Sequence, residues 1–266
     1  MDCLKYEMVN QARIQAVENS FQPGGKPLCS LGRVLIGEGR LLKRCRKRAM
    51  PKAFFLFNDI LVYGSIVVPG RWNNHQQILR LEELEQENIE DGEGMTNQWI
   101  LRTPRKSFFV SAASLQEKRA WMDHIERCRA ERLKLLGFPG TVKTFASLWV
   151  PDSATHHCMR CPRLFTLAQR KHHCRNCGFV VCNSCSKGRA ILKNISHKPV
   201  RVCKLCKDIL PSLDTCKRFR GDSVEVPEYD ESSDEEAEEQ ENQQNSHWYE
   251  EIYCYFNPEN VYPPCM

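Results

Sequence analysis

Four Cys-x-x-Cys pairs lie within residues 158–206 and are the clearest candidates for metal ligands in this sequence. The pairs are Cys158/Cys161, Cys174/Cys177, Cys182/Cys185 and Cys203/Cys206. Each pair can place two thiolates on one ion, and structural zinc takes four soft ligands in tetrahedral geometry. The eight cysteines therefore predict two closed sites, each with one structural Zn²⁺ held by four thiolates.

Two other uses of cysteine compete with zinc. One Cys-x-x-Cys pair alone would fit a redox dithiol, but four pairs in so short a span favour a metal. A disulfide framework would require secretion, and residues 1–7 lack the apolar core of a secretion signal. We expect the remaining, scattered cysteines to be ordinary reduced thiols.

A basic stretch runs through the second cysteine pair. Residues 170–178 read Arg-Lys-His-His-Cys-Arg-Asn-Cys-Gly, residues 149–152 read Trp-Val-Pro-Asp, and residues 201–203 read Arg-Val-Cys. In this order and at these distances, the three segments resemble the signature elements of FYVE zinc fingers. The resemblance implies binding of phosphatidylinositol 3-phosphate on endosomal membranes.

The residue types in these segments suit a phosphorylated inositol ring. A guanidinium pairs with phosphate oxygens through two hydrogen bonds, and an ammonium adds a point charge. By resemblance to FYVE fingers, the residues that contact the headgroup are Arg170, His172, His173, Arg175 and Arg201, with Lys171 adding basic character. Asp152 would accept hydrogen bonds from inositol hydroxyls. The alternative is a solvated cationic hairpin.

The same resemblance implies a cross-brace, in which alternate cysteine pairs share an ion. One zinc would be held by Cys158, Cys161, Cys182 and Cys185, and the other by Cys174, Cys177, Cys203 and Cys206. Spacing alone also allows neighbouring pairs to share an ion. Residues 165–169 occupy the position of the family's membrane-inserting loop, where Leu167 offers an apolar side chain and Phe165 is expected inside the finger.

A β-rich stretch precedes the finger. Phe54–Phe57 and Ile60–Tyr63 are apolar runs on either side of a two-residue turn, which indicates a hairpin. Further strands are predicted at residues 77–81, 99–102 and 107–112. Ser114 and Glu117 form a capping box that opens a helix containing Trp121. Strands followed by a helix with a buried tryptophan resemble a pleckstrin homology domain.

The loop between the first two predicted strands is strongly basic. Pleckstrin homology domains typically hold phosphoinositides there, and the candidate residues are Lys43, Arg44, Arg46, Lys47 and Lys52. Met50-Pro51-Lys52 leaves the family's basic pattern at the second strand incomplete. A solvated cationic hairpin therefore remains the alternative to a second phosphoinositide site.

A pleckstrin homology domain followed by a FYVE finger, with little else, resembles the phafin family. We expect a mostly β, α+β fold with two small domains. Residues 1–32 would be an N-terminal extension with a short helix, 33–132 a pleckstrin homology β-barrel with a C-terminal helix, 133–148 a linker, 149–210 a two-zinc cross-brace finger, and 211–266 a disordered acidic tail.

The phafin resemblance implies a non-enzymatic adaptor in membrane trafficking and autophagy, with unidentified trafficking proteins as partners. No nucleophile, base and orienting group stand out together. No apolar run approaches the ~18 residues that span a bilayer. We therefore expect a cytoplasmic protein that binds peripherally to early endosome and lysosome membranes.

Charge divides the chain unevenly. From Gly221 onward there are 14 Asp and Glu residues and no Lys or Arg, whereas the first 220 residues carry 38 basic and 19 acidic residues. We expect the acidic tail to be disordered and to compete for the basic loop. Ser232 and Ser233, followed by acidic residues, resemble sites for acid-directed kinases.

Residues 248–256 are unusually rich in aromatic side chains. They indicate either a docking motif or a segment that folds back on the rest of the protein.

Two other classes share some of these features. A RING-like ubiquitin ligase also cross-braces two zinc ions, but it usually has a histidine among its ligands, whereas all eight positions here are cysteine. A basic nucleic-acid-binding zinc protein would fit the charge, yet the finger lacks a recognition helix. We expect no nucleic acid partner.

Overall fold

The computed structural model describes residues 3–68, 72–91, 95–137, 144–210 and 254–256. The helices and strands are α1 (Cys3–Ser20), β1 (Leu35–Arg44), β2 (Ala49–Phe57), β3 (Ile60–Val68), β4 (Trp72–Arg80), β5 (Glu85–Asn88), β6 (Gln98–Arg102), β7 (Phe108–Ser111), α2 (Leu115–Leu135), β8 (His172–His173), β9 (Val180–Val181), β10 (Gly188–Leu192), β11 (Ser196–Val202), α3 (Lys204–Ile209) and β12 (Cys254–Phe256). Most of the strands belong to the N-terminal domain, and the finger contributes two short hairpins.

The N-terminal strands form one bent antiparallel sheet. Its order is β4-β3-β2-β1-β7-β6-β5, and β1 joins the two halves because it pairs with β2 along its length and with β7 at Leu42 and Lys43. Helix α2 lies over the sheet and buries Trp121, Ile125 and Cys128 in the main core. The predicted fold class, with a pleckstrin homology barrel and a C-terminal helix, is confirmed.

Both faces of the first hairpin are covered. Phe54 and Leu56 pack beneath α2, whereas Phe55 and Phe57 pack on the opposite face in a second cluster. Ile14 and Val17 of helix α1, together with Phe21 directly after it, cover that second face. Since successive strand residues point to opposite faces, burial of both faces explains why these four consecutive residues are all apolar.

The capping box at the start of α2 is shifted by one residue. Ser114 Oγ accepts a hydrogen bond from the Glu117 N–H at 3.1 Å, as the sequence predicts. The Glu117 carboxylate, however, accepts from the Ala113 N–H at 3.0 Å rather than from that of Ser114. The cap still satisfies backbone donors that have no partner within the first helical turn.

The ends of the predicted linker, residues 133–148, belong to folded structure. Helix α2 continues to Leu135, and the Ala146 N–H donates to the Thr103 carbonyl at 3.0 Å. Leu148 forms an isolated β-bridge with Ser107, the residue just before β7. Ala146 and Leu148 therefore lie against the barrel just before the finger begins.

A glycine fixes the entry of the chain into the finger. Gly178 has a φ of +74°, and a Cβ there would lie 2.0 Å from the Leu148 carbonyl oxygen. The Gly178 carbonyl accepts from the Val150 N–H at 3.0 Å. Only glycine allows this close approach of two backbone segments in this conformation.

Part of the C-terminal stretch expected to be disordered is a strand. Residues Cys254–Phe256 form β12, which pairs antiparallel with β1. Ser232, Ser233 and the acidic block lie outside the described residues. Their proposed competition with membranes for the basic loop remains a prediction.

Candidate metal centres and phosphoinositide site

The eight cysteines come together as two separate tetrads. One contains Cys158, Cys161, Cys182 and Cys185, and the other contains Cys174, Cys177, Cys203 and Cys206. Within each tetrad the four Sγ atoms lie within 4.8 Å of one another. Alternate pairs therefore share a site, which is the cross-brace arrangement rather than pairing of neighbours.

The distances between sulfur atoms fit zinc. Zn–S bonds of ~2.3 Å in a tetrahedron place the sulfurs about 3.8 Å apart. The Sγ atoms of Cys161 and Cys182 are 3.8 Å apart, and those of Cys177 and Cys203 are 4.0 Å apart. When bound, Zn²⁺ would supply the cross-link that holds the finger's loops together.

Hydrogen-bond donors surround the sulfur atoms. The Cys182 N–H donates to Cys158 Sγ at 3.3 Å, and the Cys203 N–H donates to Cys174 Sγ at 3.2 Å. Asn176 Nδ2 lies 3.3 Å from Cys206 Sγ. Such donors stabilise the thiolate form, which is the form that binds metal.

The crowded thiols of each tetrad shift one another's pKa. A hydrogen bond to Cys177, together with burial, raises the pKa of Cys174 to about 12, and the same bond lowers the pKa of Cys177. Burial and hydrogen bonds to Cys161 and Cys182 raise the pKa of Cys185 to about 12. Four adjacent thiols ionise together only beside a positive charge, which a divalent cation provides.

Trp149 organises the centre of the basic run. The His173 ring stacks on Trp149 with centroids 4.7 Å apart, and its Nε2 lies 2.7 Å from the Val150 carbonyl oxygen. The Arg175 guanidinium lies 4.4 Å from the centroid of the same tryptophan ring. Burial lowers the pKa of His173. A neutral imidazole that donates from Nε2 to the carbonyl fits this environment.

Arg170 and His172 are more accessible than His173. Arg170 is exposed and makes no hydrogen bond or ion pair with any residue that the structure describes, while His172 is half-buried on β8. Neighbouring positions of an extended segment point to opposite sides. Arg170 therefore presents its guanidinium to solvent at the edge of the basic run, whereas His173 is fixed inside the finger.

Arg201 reaches the run from the neighbouring hairpin. The Arg175 N–H donates to the Arg201 carbonyl at 2.9 Å, which joins β11 to the segment after β8. The Arg201 guanidinium itself donates to Asn183 Oδ1 at 3.2 Å and to the Ser186 carbonyl at 3.0 Å. These bonds hold the strand beside the basic run.

Lys171 serves the structure of the finger. Its Nζ donates to the carbonyls of Asp152 and Thr155, the latter at 2.9 Å, and lies 5.5 Å from the Phe165 ring centroid. These contacts close the 3₁₀ turn Asp152–Ala154 onto the basic run. The ammonium that the sequence assigns to lipid binding is thus also an internal donor.

Asp152 is shared between the finger and the first domain. Arg46 Nε donates to Asp152 Oδ2 at 3.3 Å, and the Arg46 carbonyl accepts from the Asp152 N–H at 3.2 Å. Arg46 also donates to the Lys171 carbonyl at 3.0 Å. Asp152 Oδ1 is buried and lies 3.7 Å from His173 Nε2, beyond hydrogen-bond distance. The predicted hydroxyl acceptor is therefore bound to the loop of the other domain.

The structure divides the basic residues of the first hairpin. Lys43 is buried, with its ammonium 5.0 Å from the Phe108 ring centroid, and Lys52 is buried and donates to a serine hydroxyl of β3. Arg44 is half-buried, and Lys47 is exposed at the turn. Of the predicted loop residues, Lys47 faces solvent, Arg46 faces the finger, and the two buried lysines belong to the sheet.

Polar bonds elsewhere also join the two domains. Ser147 Oγ donates to the Asn176 carbonyl at 2.5 Å, and Asn194 Nδ2 donates to the Pro104 carbonyl at 2.9 Å. Sequence reasoning missed this interface, because its partners stand up to 125 positions apart. The basic residues of the loop were the one feature of the sequence that pointed to a contact there, and they were equally consistent with binding to a phosphoinositide.

The loop before the basic run presents one apolar side chain to solvent. Leu167 is 99% exposed, whereas Phe165 is half-buried against the finger core. No helix among the described residues is long and apolar enough to cross a membrane.

Comparison with known proteins supports the zinc assignment. Residues 148–212 match the family model for the FYVE zinc finger. Human pleckstrin homology domain-containing family F member 1 is 49% identical over 207 residues, which cover 77% of this chain and 74% of that protein. The human family F member 2 is 47% identical over 226 residues, covering 84% and 90% respectively.

A solved structure of a FYVE domain, LM5-1 from Leishmania major, is similar to part of this chain. It is 38% identical with a TM-score of 0.24 and covers 27% of this chain and 86% of that chain. The finger's family match, together with the two tetrads, confirms the predicted cofactor as two structural Zn²⁺.

Proposed function

The chain belongs to the phafin family, and from this premise we propose that it reads phosphatidylinositol 3-phosphate as a zinc-dependent adaptor without catalytic activity. The family is one of zinc-dependent, phosphoinositide-binding proteins that associate peripherally with membranes. The chain acts in the cytoplasm and on membranes of early endosomes and lysosomes, where it takes part in trafficking and autophagy.

The exposed Arg170 beside a preorganised cationic segment carries the proposal. Arg175 is held on Trp149, whose ring also stacks on the buried His173, and Arg201 is bonded alongside, so binding does not have to order the two arginines first. Arg170 has its guanidinium available for two hydrogen bonds to a phosphate. A compact dianionic phosphate suits this set better than a spread of single charges.

The contact between Arg46 and Asp152 makes the lipid-binding face a composite of both domains. The two side chains are bonded at 3.3 Å, and this bond holds the loop of the first domain beside the basic run of the finger. Exposed Lys47 follows on the same turn and adds a further phosphoinositide contact. Both domains then meet one membrane together.

Vesicle flotation with the full chain tests the proposal. The vesicles differ only in which phosphoinositide they contain, and we expect preferential binding to the 3-phosphate. Arg170→Ala should lower that binding at least about tenfold, since a charged hydrogen bond is worth ~1.5–3 kcal/mol. Lys204→Ala removes an equal charge from exposed α3 and is the matched control.

Zinc content separates a binding defect from a folding defect in this experiment. Both variants should retain two zinc ions, because neither residue belongs to a tetrad. Equal binding to every phosphoinositide, or equal losses for Arg170→Ala and Lys204→Ala, would contradict the proposed reading of the 3-phosphate.

A further inference from the structure

A strand from the C-terminal stretch completes the edge of β1. In the antiparallel register of β12 on β1, Phe256 pairs with Gly37, Tyr255 with Glu38 and Cys254 with Gly39. On this side of β1, β7 pairs only with Leu42 and Lys43. Without β12, the first half of β1 would therefore have an open edge beside α2.

Phe256 fills the space between this edge and α2. Its ring stacks on His124 with centroids 4.0 Å apart, and it meets Trp121 edge-to-face at 5.0 Å. The ring is half-buried against the main core. Its partner Gly37 has no side chain, and an aromatic residue paired with a glycine can lie across the bare strand.

These contacts have both components of strand-addition recognition. An extended peptide gains backbone hydrogen bonds from an open sheet edge, and a side-chain pocket gives specificity. Here the open edge is formed by residues 37–39, and the pocket by Trp121 and His124. An open edge is also a liability, since it can pair with other chains.

We propose that the groove between β1 and α2 is a peptide-docking site, and that its ligand is the chain's own segment around Cys254–Phe256. The docked segment returns the C-terminal stretch to the pleckstrin homology domain. The site recognises an extended backbone with a phenylalanine opposite Gly37. It is separate from the zinc tetrads and from the basic run.

The test uses the full chain with Phe256→Ala, which removes the aromatic side chain from the groove. A fluorescent peptide of residues 250–260 should bind this variant, and should bind the wild-type chain at least about tenfold more weakly, because the wild-type groove is already filled. Tyr249→Ala is the matched control, since it removes an aromatic side chain outside β12. It should exclude the peptide as the wild-type chain does.

Changes in the groove sharpen the test. In the Phe256→Ala chain, a second change His124→Ala should weaken peptide binding, whereas Arg119→Ala, at an exposed position of α2, should leave it unchanged. Amide hydrogen exchange of residues 37–39 should be faster in Phe256→Ala than in Tyr249→Ala. Binding of the peptide restores the protection.

Three results would overturn the proposal. The first is failure of the peptide to bind the Phe256→Ala chain, and the second is equal exchange of residues 37–39 in both variants. The third is a wild-type dimer in sedimentation that dissociates on Phe256→Ala, since the strand would then be exchanged between two copies.

Discussion

The barrel and the finger are built on different sources of stability. The barrel surrounds fully buried aromatic side chains, including Trp99, Trp121 and Phe54, and buries apolar residues on both faces of its first hairpin. In the finger, half of the residues in the buried cluster are zinc-ligand cysteines. Burial of apolar area therefore holds one domain, and metal coordination holds the other.

This difference also sets how the two domains position functional side chains. The strands β8 and β9 are two residues long, and so short a hairpin is not stable alone. Cys174 directly follows His173, so zinc coordination fixes the end of the basic run. In the barrel, by contrast, Lys43 and Lys52 are fixed by the packed sheet.

Among the substitutions that separate the two domains, loss of one zinc ligand should have the largest effect on stability. Cys177→Ser should unfold the finger and leave the barrel folded, because structural zinc contributes roughly 10–16 kcal/mol of apparent binding energy in finger peptides. Zinc content and amide exchange of each domain measure the outcome. Cys29→Ser, at an exposed cysteine outside the tetrads, is the control. A variant that keeps two zinc ions would remove Cys177 from the ligand set.

A cavity in the barrel core should have the opposite effect, destabilising the barrel while the finger stays folded. Trp121→Ala should lower the free energy of unfolding of the barrel by about 3–5 kcal/mol, while the finger retains two zinc ions. Urea unfolding and zinc content give the two readouts. Leu115→Ala, at an exposed position in the same helix, should cost far less. Loss of zinc from Trp121→Ala would show that the finger depends on the barrel core.

The contact of Arg46 with the finger tests how independent the domains are. Arg46→Ala should destabilise the finger by about 1–3 kcal/mol, since hydrogen bonds to a carboxylate and a carbonyl are lost from the other domain. The rate of zinc release to a chelator reports the change. Lys47→Ala, at the exposed neighbouring position, is the control.

A double-mutant cycle with Asp152→Asn isolates the ion pair itself. We expect the two substitutions to be non-additive, because each removes the same contact at 3.3 Å. Additive effects, or identical zinc release from Arg46→Ala and Lys47→Ala, would mean that the stability of the finger does not depend on its contact with the barrel.

The exposed leucine of the finger should have the smallest effect. Leu167→Ala should lower binding to vesicles that contain the 3-phosphate by up to about tenfold, because it removes part of one inserting apolar side chain. Leu31→Ala is the matched control, since Leu31 is fully exposed on the N-terminal domain. Stability and zinc content should not change. Equal effects of the two substitutions would exclude specific insertion of the finger loop.

Local patterns in the sequence were sufficient for much of the fold. The hairpin at Phe54–Tyr63 joins β2 to β3 across the predicted turn, and Ser114 caps α2 as its capping box indicates. The Cys-x-x-Cys spacing marked the zinc ligands. These features depend on a few neighbouring residues, so periodicity, turn chemistry and ligand spacing reveal them.

Contacts between distant segments were decided by the tertiary structure. Spacing left the sharing of cysteine pairs open, and the folded finger brings alternate pairs together. Charge alone grouped Lys43, Arg46 and Lys47, but folding buries the first, turns the second onto Asp152 and leaves the third in solvent. The aromatic C-terminal stretch allowed two interpretations until β12 paired with β1. The sequence thus determined which chemical groups are available, whereas packing determined which of them meet, because burial and pairing depend on residues far apart in the chain.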